Sequence, residues 1–228
     1  MKFKYKKMIV TITMGTMLIG FAIFSTVTPK SSTVNKKSKI KTEEVLPSPI
    51  PQVKEKEAVD TSKIQKDLNP QVTQVVKDYL LASVNCDMDA LEETVNNISM
   101  VDEKELQLKY EFVEGVSNIE CYMIPAPSEG GYLVYIYRDL KIKDVETLAP
   151  GLSRVYVAVG ADGNYRIFFG ADTGLESFIN QTDQTKEVKE LVEKVNKKME
   201  EAISVDADLS SFIEKITTTV KEEKNKKQ

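Results

Sequence analysis

The residues from Tyr132 to Phe169 constrain the fold more than any other part of this chain. They read YLVYIYRDLKI, then a polar connection closed by Ala149-Pro150-Gly151, then LSRVYVAV, a Gly160-Ala161-Asp162-Gly163 turn, and YRIFF. Val, Ile, Tyr and Phe suit a pleated surface, and Gly, Pro and Asp punctuate it, so the stretch predicts three consecutive antiparallel strands. Just upstream, Ile119, Cys121 and Met123 alternate with Glu120 and Tyr122, which predicts a fourth strand with one apolar face. The chain is therefore organised around a four-stranded sheet.

Helices precede it. Asn69-Pro70 reads as a cap followed by proline at the first helical position, and Val72, Val75, Val76, Tyr79 and Leu80 then recur on one face. Asp87 caps a second helix with Met88, Leu91 and Val95 as its stripe. Asp102 with Glu105 resembles a capping box for a third, which carries Leu106, Tyr110 and Val113 and is closed by Gly115. After the strands and a short segment around Leu175 to Ile179, two more stripes appear. Val188, Leu191, Val192, Val195 and Met199 form one, and Leu209, Phe212, Ile213, Ile216 and Val220 the other. The break at Ser204 to Asp206 makes them an antiparallel helical hairpin over residues 181–220. Its apolar faces need a partner: each other, the sheet, or another protein, a second copy included. Helices followed by strands indicate an α+β domain, here residues 70–180, with a charged tail over 221–228.

The N-terminal third is different in kind. A basic head, residues 1–7, precedes Met8 to Thr28, a stretch without a charged residue. About 20 apolar residues cross a bilayer as a helix, so residues 8–28 are read as a single span. Phe21, Ile23 and Phe24 crowd the place where a signal peptidase needs small residues, which favours an uncleaved signal anchor over a cleaved signal peptide. Positive-inside counting nearly ties, because Lys30, Lys36, Lys37, Lys39 and Lys41 follow the span. The short basic head running straight into an apolar stretch has the layout of an exported sequence, so the C-terminal bulk is expected outside the cell. Residues 29–69, rich in Lys, Glu and Pro with no sustained apolar period, read as a disordered tether.

Composition narrows the chemistry. The chain has no histidine, which removes Ser-His and Cys-His nucleophile pairs, His-based zinc sites and histidine acid-base catalysis. Two cysteines, Cys86 and Cys121, are too few for a thiolate metal site, and read as two small buried side chains or as one disulfide. A net charge of -4 brings no bulk attraction to nucleic acid. No metal or cofactor site is expected. The only arginines are Arg138, Arg154 and Arg166, one in each of the three predicted strands. Arginine suits planar recognition of carboxylate or phosphate, but cooperation between these depends on register. A two- or four-residue loop at Asp162-Gly163 sets Arg166 opposite Arg154, whereas a three-residue bulged loop puts both on one face.

The pieces CDMDAL (Cys86 to Leu91), NIECY (Asn118 to Tyr122), YLVYIYRDLKI (Tyr132 to Ile142) and APGLSRVYV (Ala149 to Val157), with the helix order, resemble the nuclear-transport-factor-2-like superfamily. More narrowly they are similar to clostridial single-pass membrane proteins carrying such a domain outside the cell, over about Pro70 to Ile179. The resemblance implies three helices packed into the hollow of a curved, cone-shaped sheet. It also implies either an enzyme with acid-base groups in the cone or a non-catalytic binding or assembly domain. Tyr110, Tyr122, Tyr135 and Tyr156 are the tyrosines expected to point inward. None has an Asp or Glu in strand phase, and Asp139, the nearest, reads as a solvated strand-end charge. The expectation is thus a non-catalytic, membrane-anchored, extracytoplasmic binding or assembly module of a Gram-positive cell envelope, with a protein or envelope-polymer partner. The alternative is a small-molecule binder, lyase or isomerase that uses the cone pocket.

Overall fold

In the run YLVYIYRDLKI both alternating sets of side chains are apolar, and the eight residues Leu133 to Leu140 are all buried. A strand buried at both parities must be covered on both faces. The computed structural model, which describes residues 63–226, shows that arrangement. The sheet has five strands in the order β1 to β5, each antiparallel to the next. They are β1 (Gln65–Lys66), β2 (Val113–Pro125), β3 (Tyr132–Ile142), β4 (Ala149–Val159) and β5 (Tyr165–Phe168). Helices α1 (Pro70–Asn85), α2 (Met88–Glu92) and α3 (Glu103–Tyr110) come before β2, and α4 (Thr173–Asp183), α5 (Lys186–Val205) and α6 (Ala207–Lys226) follow β5.

Pairing decides which side chains share a face. Tyr132 lies opposite Val157 and Ile136 opposite Ser153 across β3 and β4, and Val157 lies opposite Ile167 across β4 and β5. One face therefore presents Cys121, Met123, Val134, Ile136, Val157 and Ile167, packed on Val72, Val76 and Leu80 of α1, Leu91 of α2 and Leu106 of α3. The other presents Ile124, Leu133, Tyr135 and Tyr137, packed on Val188, Leu191 and Val195 of α5. Leu140, Ile142 and Ala149 meet Met199 and Ala202 of α5 and Leu209 of α6 in a third cluster.

The predicted four-stranded cone with helices on one side is thus corrected to an open five-stranded sheet with helices on both faces. The fifth strand, β1, falls inside the stretch read as a tether. It is two residues long and pairs only with Tyr122 and Met123, too short to leave an alternation signal. The C-terminal hairpin is not a separate unit either, because α5 is the sheet's second cover.

Local chemistry sets the helix starts as expected. The Asn69 side chain accepts from the backbone N–H of Gln71 at 3.0 Å and of Val72 at 3.4 Å, with Pro70 at the first helical position. Asp87 accepts from Ala90 N–H at 3.0 Å, and Asp102 from Glu105 N–H at 3.1 Å. The ends differ from expectation. The second helix stops at Glu92, and Val95 instead bridges Ile167 beside β5. The third stops at Tyr110, so Val113 and Gly115 belong to β2. The expected span over residues 8–28, the head and most of the tether lie outside the described residues. Among the described residues no helix is long and apolar enough to cross a membrane.

Candidate functional site

Strand β5 pairs with β4 only from Tyr156 to Val159, which leaves the outer edge of β4 from Ala149 to Val155 without a strand beside it. The chain leaves β5 through Phe169-Gly170-Ala171 and enters α4, with Gly170 at φ +86, a conformation that suits glycine. A cavity of about 390 Å³ follows this edge. From the first face it is lined by Tyr79 of α1, Lys109 and Tyr110 of α3, and Arg138 and Ser153 of the sheet; Phe168, Leu175 and Ile179 form the opposite wall. The volume lies within the range of small-molecule sites and exceeds that of roughly a dozen waters.

Arg138 is the unusual member. Its register partner is Gly151, where an added Cβ would meet the guanidinium carbon at an ordinary contact of 4.0 Å. It is 2% exposed. One Nη donates to Ser153 Oγ at 2.7 Å, and Nε has no hydrogen-bond partner. Burial opposes its charge, and among the described residues no carboxylate pairs with it. Only one other buried side-chain atom among the described residues lacks a partner, Ser83 Oγ on α1.

Lys109 adds a second cation. Its ammonium lies 5.1 Å from the Tyr110 ring centroid. Burial first, and then repulsion from Arg138, push its pKa down to about 8. Tyr79 and Tyr110 are both held well above the usual phenol value, chiefly by burial, so both keep their O–H. The only acid in the lining is Glu176 of α4, which is solvent-exposed.

The other expected site residues separate. The hairpin turn is the three-residue form: Gly160 N–H donates to Asn164 O at 2.7 Å around Ala161-Asp162-Gly163, with Gly163 at φ +82. Arg154 and Arg166 therefore share the second face, opposite Arg138. They do not act together, because Arg154 pairs with Asp183 and Arg166 with Asp162 at 2.7 Å and Glu93 at 3.8 Å. Tyr122, Tyr135 and Tyr156 also point to the second face. Tyr135 donates to Asp183 at 2.6 Å and Tyr122 to Glu120 at 2.7 Å, while Tyr156 pairs with Ser128 Oγ. Tyr156 still reaches the cavity wall, whereas Tyr122 and Tyr135 do not line it. Of the four tyrosines only Tyr110 stands with Arg138.

Two other readings are decided by burial and pairing. Asp139 is not a solvated charge: it is 8% exposed and accepts from Tyr137 Oη at 2.6 Å and Asn118 Nδ2 at 2.8 Å. Cys86 and Cys121 are free thiols rather than a disulfide, and burial pushes the Cys121 pKa up to about 12. Among the described residues no cluster of Cys, Asp and Glu is placed to hold a metal ion. Sequence reasoning missed Tyr79, Lys109 and Ser153. Tyr79 was visible only as part of an apolar stripe, and nothing marks Lys109 among so many lysines. In comparisons with known proteins the chain matches no family model, no curated protein and no solved structure.

Proposed function

We propose that this domain is a non-catalytic binding module for a small anionic molecule, seated in the cavity along the edge of β4 with Arg138 as its anchor. One observation carries the reading: a guanidinium buried in a cavity with a single hydroxyl partner and no carboxylate partner among the described residues. Burying a charge costs several kcal/mol unless an opposite charge and hydrogen bonds offset it, so an incoming anion gains what the folded protein lacks. The apolar wall of Phe168, Leu175 and Ile179 suits a ligand with a hydrocarbon body.

The pairing of the phenols argues against a lyase or isomerase. Acid-base work needs a titrating group within reach of the substrate. The tyrosine–carboxylate pairs at Tyr122 and Tyr135 stand outside the cavity lining, and their carboxylates raise those phenols' pKa further beyond what burial does. Neither sheet face favours a protein partner, since both carry the chain's own helices.

The test is calorimetric titration of the full chain with a short-chain carboxylate and the matching phosphate ester. Saturable binding of at least one, lost in Arg138→Met, supports the reading. Binding of neither, or binding that Arg138→Met leaves intact, refutes it.

A further inference from the structure

The cavity holds more positive charge than a single carboxylate can neutralise. Arg138 and Lys109 stand on different elements, β3 and α3, and both line it. Neither has a carboxylate partner among the described residues, and they repel one another closely enough to shift the Lys109 equilibrium. Two like charges desolvated together are unfavourable in the empty protein. Glu176, the only acid of the lining, is exposed on α4.

The remaining polar groups at this end can donate. Arg138 keeps the Nη that does not bond Ser153, Lys109 its ammonium, and Tyr79 and Tyr110 their O–H groups, held protonated by burial. A carboxylate offers two oxygens and one charge. A phosphate monoester offers three terminal oxygens and about -1.5 to -2 charges at neutral pH, and Arg and Lys are the side chains that bind it. Beyond the head, Phe168, Leu175 and Ile179 give an apolar surface, and the charged groups of that lining are the exposed Glu176 and Arg154, which is paired with Asp183.

Resting on the anion-pocket reading above, we infer that the ligand is a phosphate monoester of an apolar alcohol, its phosphate held jointly by Arg138 and Lys109. Arg138 supplies the planar fork and Lys109 the second charge. The hydrocarbon part runs along β4 toward α4.

Titration of the full chain at pH 7 with hexyl phosphate, hexanoate and inorganic phosphate tests this. Hexyl phosphate should bind at least about tenfold more tightly than hexanoate, because it alone neutralises both cations. In Lys109→Gln, a half-buried position in the last turn of α3, that preference should fall to about unity while hexanoate affinity changes by less than about twofold. Hexanoate binding as well as hexyl phosphate in the wild type overturns the dianion assignment and leaves the anion pocket standing. Inorganic phosphate binding as tightly as hexyl phosphate overturns the apolar body. Binding of all three unchanged in Arg138→Met overturns the pocket itself.

Discussion

Arg138→Met should make the unliganded protein more stable while abolishing its binding. Removing a buried polar side chain is usually destabilising, so the sign is informative. Arg138 is 2% exposed, and the guanidinium is compensated by one hydrogen bond of 2.7 Å. Desolvation of such an ion costs several kcal/mol. Against this, a hydrogen bond from a charged donor contributes about 1.5–3 kcal/mol, and Ser153 faces a cavity where water can replace it. Methionine fills a similar volume with a flexible chain. The net expectation is a gain of about 1–2 kcal/mol, which for a chain this long raises the melting temperature by about 2–8 °C. Urea unfolding followed by far-UV circular dichroism measures it, since the chain has no tryptophan. A loss of more than about 1 kcal/mol would mean that the folded protein already satisfies the guanidinium. The argument for an anion there would then collapse.

Four further outcomes are expected. Asp183→Ala unties α4 by removing the acceptor of Tyr135 and the partner of Arg154; with the pair partly exposed, the cost should be near the low end of about 1–3 kcal/mol in urea unfolding. Leu209→Ala, at a fully buried position where α6 meets Met199 and Ala202, should cost about 2–5 kcal/mol by chemical denaturation; a cost near zero would show that α6 is not part of this core. Asp206 caps α6 by accepting from Asp208 and Leu209 N–H and also holds Thr147 N–H, which lowers its carboxyl pKa to about 2 from 3.8. Its folded value is depressed, so its contribution is complete above the unfolded value and disappears as pH falls from about 4 toward 2; Asp206→Ala should lack that acid-dependent loss in a pH titration of stability. Finally, affinity for hexyl phosphate should peak near neutrality. It weakens above pH about 8 as Lys109 loses its proton, and below pH about 6 as the phosphate gains one. Arg138, Tyr79 and Tyr110 face the same space and keep their protons throughout; Arg154 of the same lining is paired with Asp183, and Glu176 is exposed on α4. A flat profile from pH 6 to 9 would remove Lys109 from the site.

Much of the fold can be read in local sequence. Asn69, Asp87 and Asp102 start helices because a short side chain can meet exposed backbone N–H groups wherever the rest of the chain lies. The Gly163 turn and the β-branched runs around it mark consecutive antiparallel strands for equally local reasons. The run from Leu133 to Leu140 even implies two helical layers, because neither parity is polar enough to face water over its length. A cone covered on one side only would leave one parity of that run facing water.

The site was not legible in the same way. Arg138, Arg154 and Arg166 are alike as letters, each in a strand rich in Tyr and Val. Register separates them. An odd pairing sum between β3 and β4 turns Arg138 toward α1 and α3, and an even one between β4 and β5 turns the other two toward α4 and the β5 loop. There Asp183 and Asp162 are at hand to neutralise them, whereas on the first face no carboxylate among the described residues pairs with Arg138. Capping, turn and strand propensities act over three or four residues, so the sequence determines them. Which charges meet, and which one is left buried without a partner, is a sum over elements distant along the chain, and only the tertiary structure decides it.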